Sequence, residues 1–447
     1  MRPRTPDGAV FVQMLRAATV AVALSSVVQA ATITVDTNGD SGGAGDCTLR
    51  QAVDSINASA DQDGCAASGA YGTDDIIKFD PTVNGVLTLS GSALEITASV
   101  EIQWPGPNYL GVDGNYQSRV FTIGGAGTEV SIDGLIIYRG AASASRGGGI
   151  LVEANAGLVI TESIILSNYA QNGGGGIFVE GDADLTVQRT TIADNDGAGG
   201  FPGGGGIYAG PKANVILKGA AISDNKAIFG GGIYVDSATV QIINSTVAGN
   251  STYEDPPNFS ATCQGGGIFT VNTGGVSATV TLETSTISNN STCGNVDGAG
   301  GGIAVITSTS LTISNSTVSG NEATKNGGGI LVSGSNSTAT LVNTTVSGNT
   351  APAGAGVAME KALGSLSVSL TNTLMASNNG GDCQTNDPAV VTATSSLVGD
   401  ASSACGLTNS NGTLTGVAPP DVAIQSLADN GCDAPAGTSQ GPSKYFG

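Results

Sequence analysis

A two-part repeat runs through the middle of this chain and constrains its fold more than any other feature. Gly-rich turns that lead into an aliphatic residue recur from Gly147–Ile150, through Gly173–Ile177, Gly203–Ile207, Gly230–Ile233, Gly265–Ile268, Gly300–Ile303 and Gly327–Ile330, to Gly354–Val357. Most spacings are roughly 26 to 35 residues, the length of one coil in a solenoid. A second motif follows each turn, seen most plainly in Leu311-Thr312-Ile313-Ser314-Asn315-Ser316-Thr317-Val318-Ser319-Gly320-Asn321. Its last position is Gly140, Asn168, Asn195, Asn225, Asn250, Asn290, Asn321, Asn349 and Asn378. In a stack of like coils, an Asn at one turn position can bond the Asn above and below and satisfy backbone groups that the turn leaves unpaired.

Alternation assigns faces, because residues i and i+2 of a strand share a side. Leu311, Ile313 and Val318 are expected inside, as are Leu185, Val187 and Ile192 in an earlier coil and Val240, Ile242 and Val247 in another. Thr, Val, Ile and Ser dominate and a leucine-rich spacing is missing, which favours stacked short strands. The fold class is therefore all-β, a right-handed parallel β-helix with a small N-terminal cap. Each coil supplies too few core residues to fold alone, so its stability comes from its neighbours.

Composition agrees with a repetitive core. Of all residues, 69 are Gly and only 11% are charged, yet 40% are hydrophobic, too many for a disordered low-complexity chain. Arg2, Arg4 and Arg16 precede an apolar run from Ala17 to Val28, and Val28-Gln29-Ala30 offers a cleavage site, so residues 1–30 read as a secretory signal peptide. No later stretch is long and apolar enough to predict a transmembrane segment. The net charge of −21 argues against nucleic acid as a partner and suits a secreted or cell-surface protein that meets cations or neutral sugars. Seven cysteines without a CxxC or any His read as staples. They group as Cys47 near Cys65, Cys263 near Cys293 and Cys383 near Cys405. Cys432 is left for a second chain, a free thiol or exchange into one of these pairs.

The Gly-Gly-small-Ile and Asn-Ser-Thr units resemble those of bacterial β-helix surface proteins, the polymorphic outer-membrane proteins among them. Cys47-Thr48-Leu49-Arg50-Gln51-Ala52-Val53 resembles the motif of the CSLREA-domain family of exported β-helix proteins, where it lies in a capping segment. Gly381-Asp382-Cys383, Ser396-Leu397-Val398-Gly399-Asp400 and Leu427-Ala428-Asp429-Asn430-Gly431 also fit that family's C-terminal pattern, but Cys432 replaces its next Gly and its final His-containing segment is missing. The resemblance implies export and a β-helix, with no fixed reaction. The expected organisation is a signal peptide (1–30), a cap with the first coils (31–128), the repeats (129–380) and a C-terminal segment (381–447).

Alternation in the strand after each Gly-rich turn turns Phe178, Tyr208, Tyr234 and Phe269 outward, one per coil, with Glu153, Glu180 and Asp236 beside them. An exposed row of rings and carboxylates is a predicted sugar-binding surface, because rings stack on sugar faces and carboxylates accept from hydroxyls. Stacked rings that only shield the strands are the alternative. A second aromatic row, Tyr169, Phe201, Phe229, Tyr253 and Phe259, occupies the preceding loops, of which 251–264 and 291–298 are enlarged; Cys263 to Cys293 is the favoured bridge between them. Asp36, Asn38, Asp40 and Asp46 place oxygens at alternate positions around Gly39, as a Ca²⁺ loop would, or as an acidic turn would; calcium is the only cofactor considered. Sequons such as Asn244-Ser245-Thr246 and Asn315-Ser316-Thr317 are ascribed to the repeat, with several of the sequon Asn expected to turn into the coil rather than carry glycans.

Three functions follow. The leading expectation is a secreted or surface-exposed binding protein, an adhesin or glycan binder, with a polysaccharide or a cell-surface protein as partner. The second is a polysaccharide lyase or glycoside hydrolase using a groove on the same face. For this, Arg146, Arg189, Lys212, Lys218 and Lys226 are the basic candidates, and Glu153 with Glu180 the carboxylate pair; the missing His disfavours a polygalacturonase-like site. The third is a structural rod.

Overall fold

The computed structural model describes residues 29–417, except 105, 107–108, 199–202, 254–262, 295–297, 361–363, 388–389, 401 and 403. The stretch up to Val28 that reads as a signal peptide, Phe201, Phe259, Cys432 and the Leu427–Gly431 motif lie outside the described residues. Each coil crosses three long sheets in turn. In the coil that starts at Gly230 the chain passes through Ile233–Asp236 in sheet A, Thr239–Ile243 in sheet B and Thr246–Ala248 in sheet C. Sheet A has 11 strands, from Leu94–Ile96 to Cys383–Thr385; sheet B has 13, from Thr32–Val35 to Val391–Thr394; sheet C has 13, from Val86–Thr88 to Leu414–Thr415. A short sheet D of 5 strands, Ala141–Ala142 to Ser251–Thr252, lines the fourth side. The strands pair in parallel, so the fold is a parallel β-solenoid, about 60 Å long at the usual strand spacing.

Register follows from the hydrophobic pattern. Val240 lies opposite Val215 and Val280, and Ile242 opposite Leu217 and Leu282. Leu185, Val187, Ile192, Val240, Ile242, Val247, Leu311, Ile313 and Val318 are all buried in the core, as alternation predicts. A one-residue slip would turn these side chains to the outer face, at roughly 1.5–3 kcal/mol for each aliphatic group exposed.

The Asn row closes the turn between sheets C and D. Asn225 is representative: its Nδ2 donates to Ile192 O of the preceding coil and to Asn250 Oδ1 of the next, both at 2.9 Å, and its Oδ1 accepts from the backbone N and Nδ2 of Asn195 at 3.0 and 2.9 Å. The amide-to-amide links continue without a break from Asn168 to Asn378. Asp382 ends the row, accepting from Asn378 Nδ2 at 2.8 Å and, through its other oxygen, from Asp400 N at 2.8 Å. Gly140, the one exception to Asn, starts it: its N–H donates to Asn168 Oδ1, and a Cβ there would stand 2.1 Å from Gly148 O.

The Gly-rich turn is matched to this row. The Gly three places before the aliphatic takes a positive φ, +58° at Gly230 and +84° at Gly204. At the Gly just before the aliphatic, a Cβ on Gly232 would come within 2.7 Å of Gly267 O and 3.0 Å of Asn250 Cγ. The two sequence motifs are thus the two sides of one packed contact.

The corner between sheets B and C carries a hydroxyl row, in which Ser245 Oγ accepts from Ala220 N at 3.0 Å and Ser316 Oγ from Ser285 N at 3.0 Å. The residue before each hydroxyl is left-handed, with φ +47° at Asn244 and +50° at Asn315. This geometry divides the sequons into two groups, one facing inward as expected and one facing out. Asn244 and Asn315 point to solvent while Ser245 and Ser316 point in; the buried sequon asparagines are those of the inner row, Asn250 and Asn290.

At the N-terminal end, Thr48 and Gln51 form a reciprocal capping box that starts the helix Leu49–Ala58. Leu49, Ala52, Val53 and Ile56 enter the core, and Arg50 holds Asp40 and the carbonyls of Ser92 and Ala93. All three cysteine groupings are disulfides: Cys47–Cys65, Cys263–Cys293 and Cys383–Cys405.

Asn225→Ala strands the partners of two amide links and should lower stability by about 3–5 kcal/mol, read as the shift in a denaturant midpoint. Asn315→Gly keeps the left-handed corner and should change it by less than about 1 kcal/mol.

Candidate functional site

The outer side of sheet A is built by the same alternation that fills the core. Ile233 and Val235 point in, so Tyr234 and Asp236 point out. Parallel register then aligns Leu151, Phe178, Tyr208, Tyr234, Phe269, Ala304, Leu331, Ala358 and Gln384 in one row. Phe178 and Tyr208 stack at 4.2 Å between ring centroids, Tyr208 and Tyr234 at 5.2 Å, and Tyr234 meets Phe269 at 5.1 Å.

The row is not the exposed surface that alternation suggests. Phe178, Tyr208, Tyr234 and Phe269 are between 1 and 6% exposed, and form a second apolar cluster with Ile228 and Phe229 of the preceding loop. Alternation tells which side of the sheet a residue leaves by; it does not tell that stacked rings and a loop cover that side. Burial holds the pKa of the Tyr208 and Tyr234 hydroxyls well above the usual tyrosine range, and the Asp236 carboxylate adds to the shift. Asp236 is also buried and already engaged, accepting from Tyr208 OH at 3.4 Å, Ser237 Oγ at 2.9 Å, Thr273 N at 3.0 Å and Thr273 Oγ1. It anchors the turn that follows sheet A.

Glu153 and Glu180 do lie in adjacent coils, just after the paired residues Val152 and Val179, and both are half-buried. They stand side by side on one face, not across a groove. Arg146 pairs with Glu180 at 3.7 Å and lies over the Phe178 ring at 5.1 Å. Arg119 is spent on Gly147 O, Arg146 O, Thr122 Oγ1 and Ser145 Oγ. Burial lowers its pKa from the usual arginine value, against the nearby charges of Glu95, Glu153 and Glu180. Three other basic candidates are matched to a carboxylate of the preceding coil: Arg189 to Glu162 at 2.9 Å, Lys212 to Asp182 at 3.4 Å and Lys226 to Asp196 at 3.5 Å. Lys218 is exposed on sheet B.

In the loop row, Phe229 packs on Phe269 at 5.1 Å, Tyr169 is half-buried, and Tyr253 OH donates to Asp196 Oδ1 at 3.0 Å. The Cys263–Cys293 bridge ties the two enlarged loops of adjacent coils together.

The four calcium candidates are not brought to one point. Asp40 is held by Arg50 and by Ser90 N and Oγ, Asp36 accepts from Cys47 N, Asp46 from Gly43 N, and Asn38 donates to Asn84 O. Among the described residues no group of three or more His, Cys, Asp or Glu could hold a metal ion.

The sequence did not flag the cleft at the far end of the outer row. Past Phe269 the row continues as Ala304, Leu331 and Ala358, and beside Ala358 lies a space of about 320 Å³ lined by Asn326, Ala358, Glu360, Gln384 and their neighbours. Asn326 is 8% exposed, and its Nδ2 donates to Glu360 Oε1 at 2.5 Å. Its Oδ1 is buried with no hydrogen-bond partner among the described residues. The available signal was Gln384, a polar residue in a row otherwise filled by rings and aliphatics.

The family described as right handed beta helix region matches residues 118–415. No curated protein matches the chain. No helix among the described residues is long and apolar enough to cross a membrane.

Because the rings hold one another, Tyr234→Ala should cost about 3–5 kcal/mol of stability, as large-to-small core changes do. Thermal unfolding would register this loss with or without any ligand; an unchanged melting curve would contradict the burial.

Proposed function

The chain belongs to the right-handed β-helix family, and on that premise we propose that it is an exported, non-catalytic binding protein that takes glycan hydroxyls in the cleft of Asn326, Glu360 and Gln384. The observation that carries the reading is the Glu360 carboxylate, held by the buried Asn326 amide on the wall of the cleft. Asn326 Nδ2 holds the half-buried Glu360 carboxylate at the cleft, where it can accept from a sugar hydroxyl beside Gln384. Ala358 and Met359 supply the apolar part of the cleft lining. A polysaccharide or the glycan of a cell-surface partner is the ligand class, in keeping with an adhesin.

The family includes pectate lyases and glycoside hydrolases as well as adhesins, so catalysis has to be weighed on this chain's own residues. Glu153 and Glu180 flank no groove, and the matched cations Arg146, Arg189, Lys212 and Lys226 are poorly placed to act as a base. The buried ring stack favours a second reading, a rod whose outer row only stiffens sheet A. Three disulfides and the leader-like N-terminus support an extracellular site of action.

A glycan-array and polysaccharide screen of the mature chain separates these readings when retained protein and new polymer ends are both measured. Retention without new ends is expected, with affinity lost by about tenfold in Glu360→Gln, the cost of about one charge-assisted hydrogen bond. New polymer ends would make the protein an enzyme, and silence on both readouts would leave the rod.

A further inference from the structure

The residue just before the first strand of sheet B has an unusual partner. Ala31 is fully buried, and its N–H donates to Asp75 Oδ1 at 3.1 Å, while the same carboxylate accepts from Gly72 N at 3.0 and 3.1 Å. Asp75 is 1% exposed, yet none of the ion pairs among the described residues involves it. A carboxylate buried without a cation is costly, and two backbone N–H groups compensate only in part. Independently, Val28-Gln29-Ala30 is the place where the sequence offers a signal-peptidase cut. The bond that such a cut breaks is the one that ends at the nitrogen on Asp75.

We propose that cleavage between Ala30 and Ala31 creates the missing cation, so that the new α-ammonium of Ala31 docks on Asp75 and locks the first coil. Water adds across the peptide bond: the Ala30 carbonyl carbon leaves as a carboxylate and the Ala31 nitrogen becomes an ammonium. The inference rests on the export reading but not on the cleft. Ile76 N donates to Ala31 O at 2.8 Å, which keeps Ala31 in register with the next strand whether or not the leader is attached. The only bond described from residues 29 and 30 to the neighbouring turn that the cut removes is Ala70 N to Gln29 O, and Ala70 is exposed, so its N–H passes to water. In the uncut chain Ala31 is out of reach of solvent, so the cut precedes closure of the first coil.

Mass spectrometry of the exported protein should find Ala31 at its N-terminus; any other first residue overturns the proposal. On that protein, the α-amine of the folded chain should acylate about tenfold more slowly than in Asp75→Asn, because an ion pair that raises an amine's pKa by one unit leaves a tenth of the free base. If Asp75→Asn does not fold, the unsubstituted chain serves. Nα-acetylation restores a neutral N–H and should lower Tm by several degrees. Equal acylation rates, or equal Tm with and without the acetyl group, would overturn the ion pair while leaving the cut in place.

Discussion

The amide-to-amide hydrogen bond between like asparagines is the contact on which the solenoid depends. A parallel stack of short strands has its sheets held by main-chain bonds, but each turn leaves polar groups that no strand can satisfy. One side chain per coil does so here by bonding in both directions along the axis, from Asn168 to Asn378. A repeated amide fits only if every coil presents it at the same height. The ladder therefore fixes coil register as well as satisfying the turn. It also shapes its surroundings: at the Gly just before the aliphatic of each turn, the next coil's backbone carbonyl and the row's amide together fill the space where a Cβ would go.

That dependence explains why so much of the fold is legible in one sequence. Asn at a fixed place in each coil, Gly opposite it and aliphatics at alternate positions are all consequences of stacking identical units, so they recur and can be read. The departures are legible afterwards. Gly140 starts the ladder because Gly148 lies too close for a side chain, and Asp382 ends it because a carboxylate accepts from the last amide without needing a further coil. The cysteine groupings were readable from proximity along the chain, although proximity alone does not set connectivity.

The site was much less legible, for a physical reason. Alternation distinguishes the inside of a coil from the outside, but burial on the outside depends on loops whose path has no period. Phe178, Tyr208, Tyr234 and Phe269 leave sheet A by the expected side and are then covered. Asp236, expected beside them as a ligand contact, anchors a turn instead. The same limit applies at the sheet B to C corner, where the motif Asn-Ser-Thr turns its Ser inward and its Asn out at Asn244 and Asn315, but begins with a buried Asn at Asn250. Non-repeating residues carry whatever recognition the protein has. Asn326, Glu360 and Gln384 belong to three different coils and share no motif, so only folding brings them together.

Hydrogen exchange along the Asn row tests the dependence on the ladder most directly. The backbone amides of Asn195, Asn225, Asn250, Asn290 and Asn321 each donate to the side chain of the next Asn. If the ladder holds the stack, these amides exchange among the slowest in the protein and at similar rates from coil to coil. Exchange as fast as in the exposed turn 273–277 would mean that the coils are held by their sheets alone.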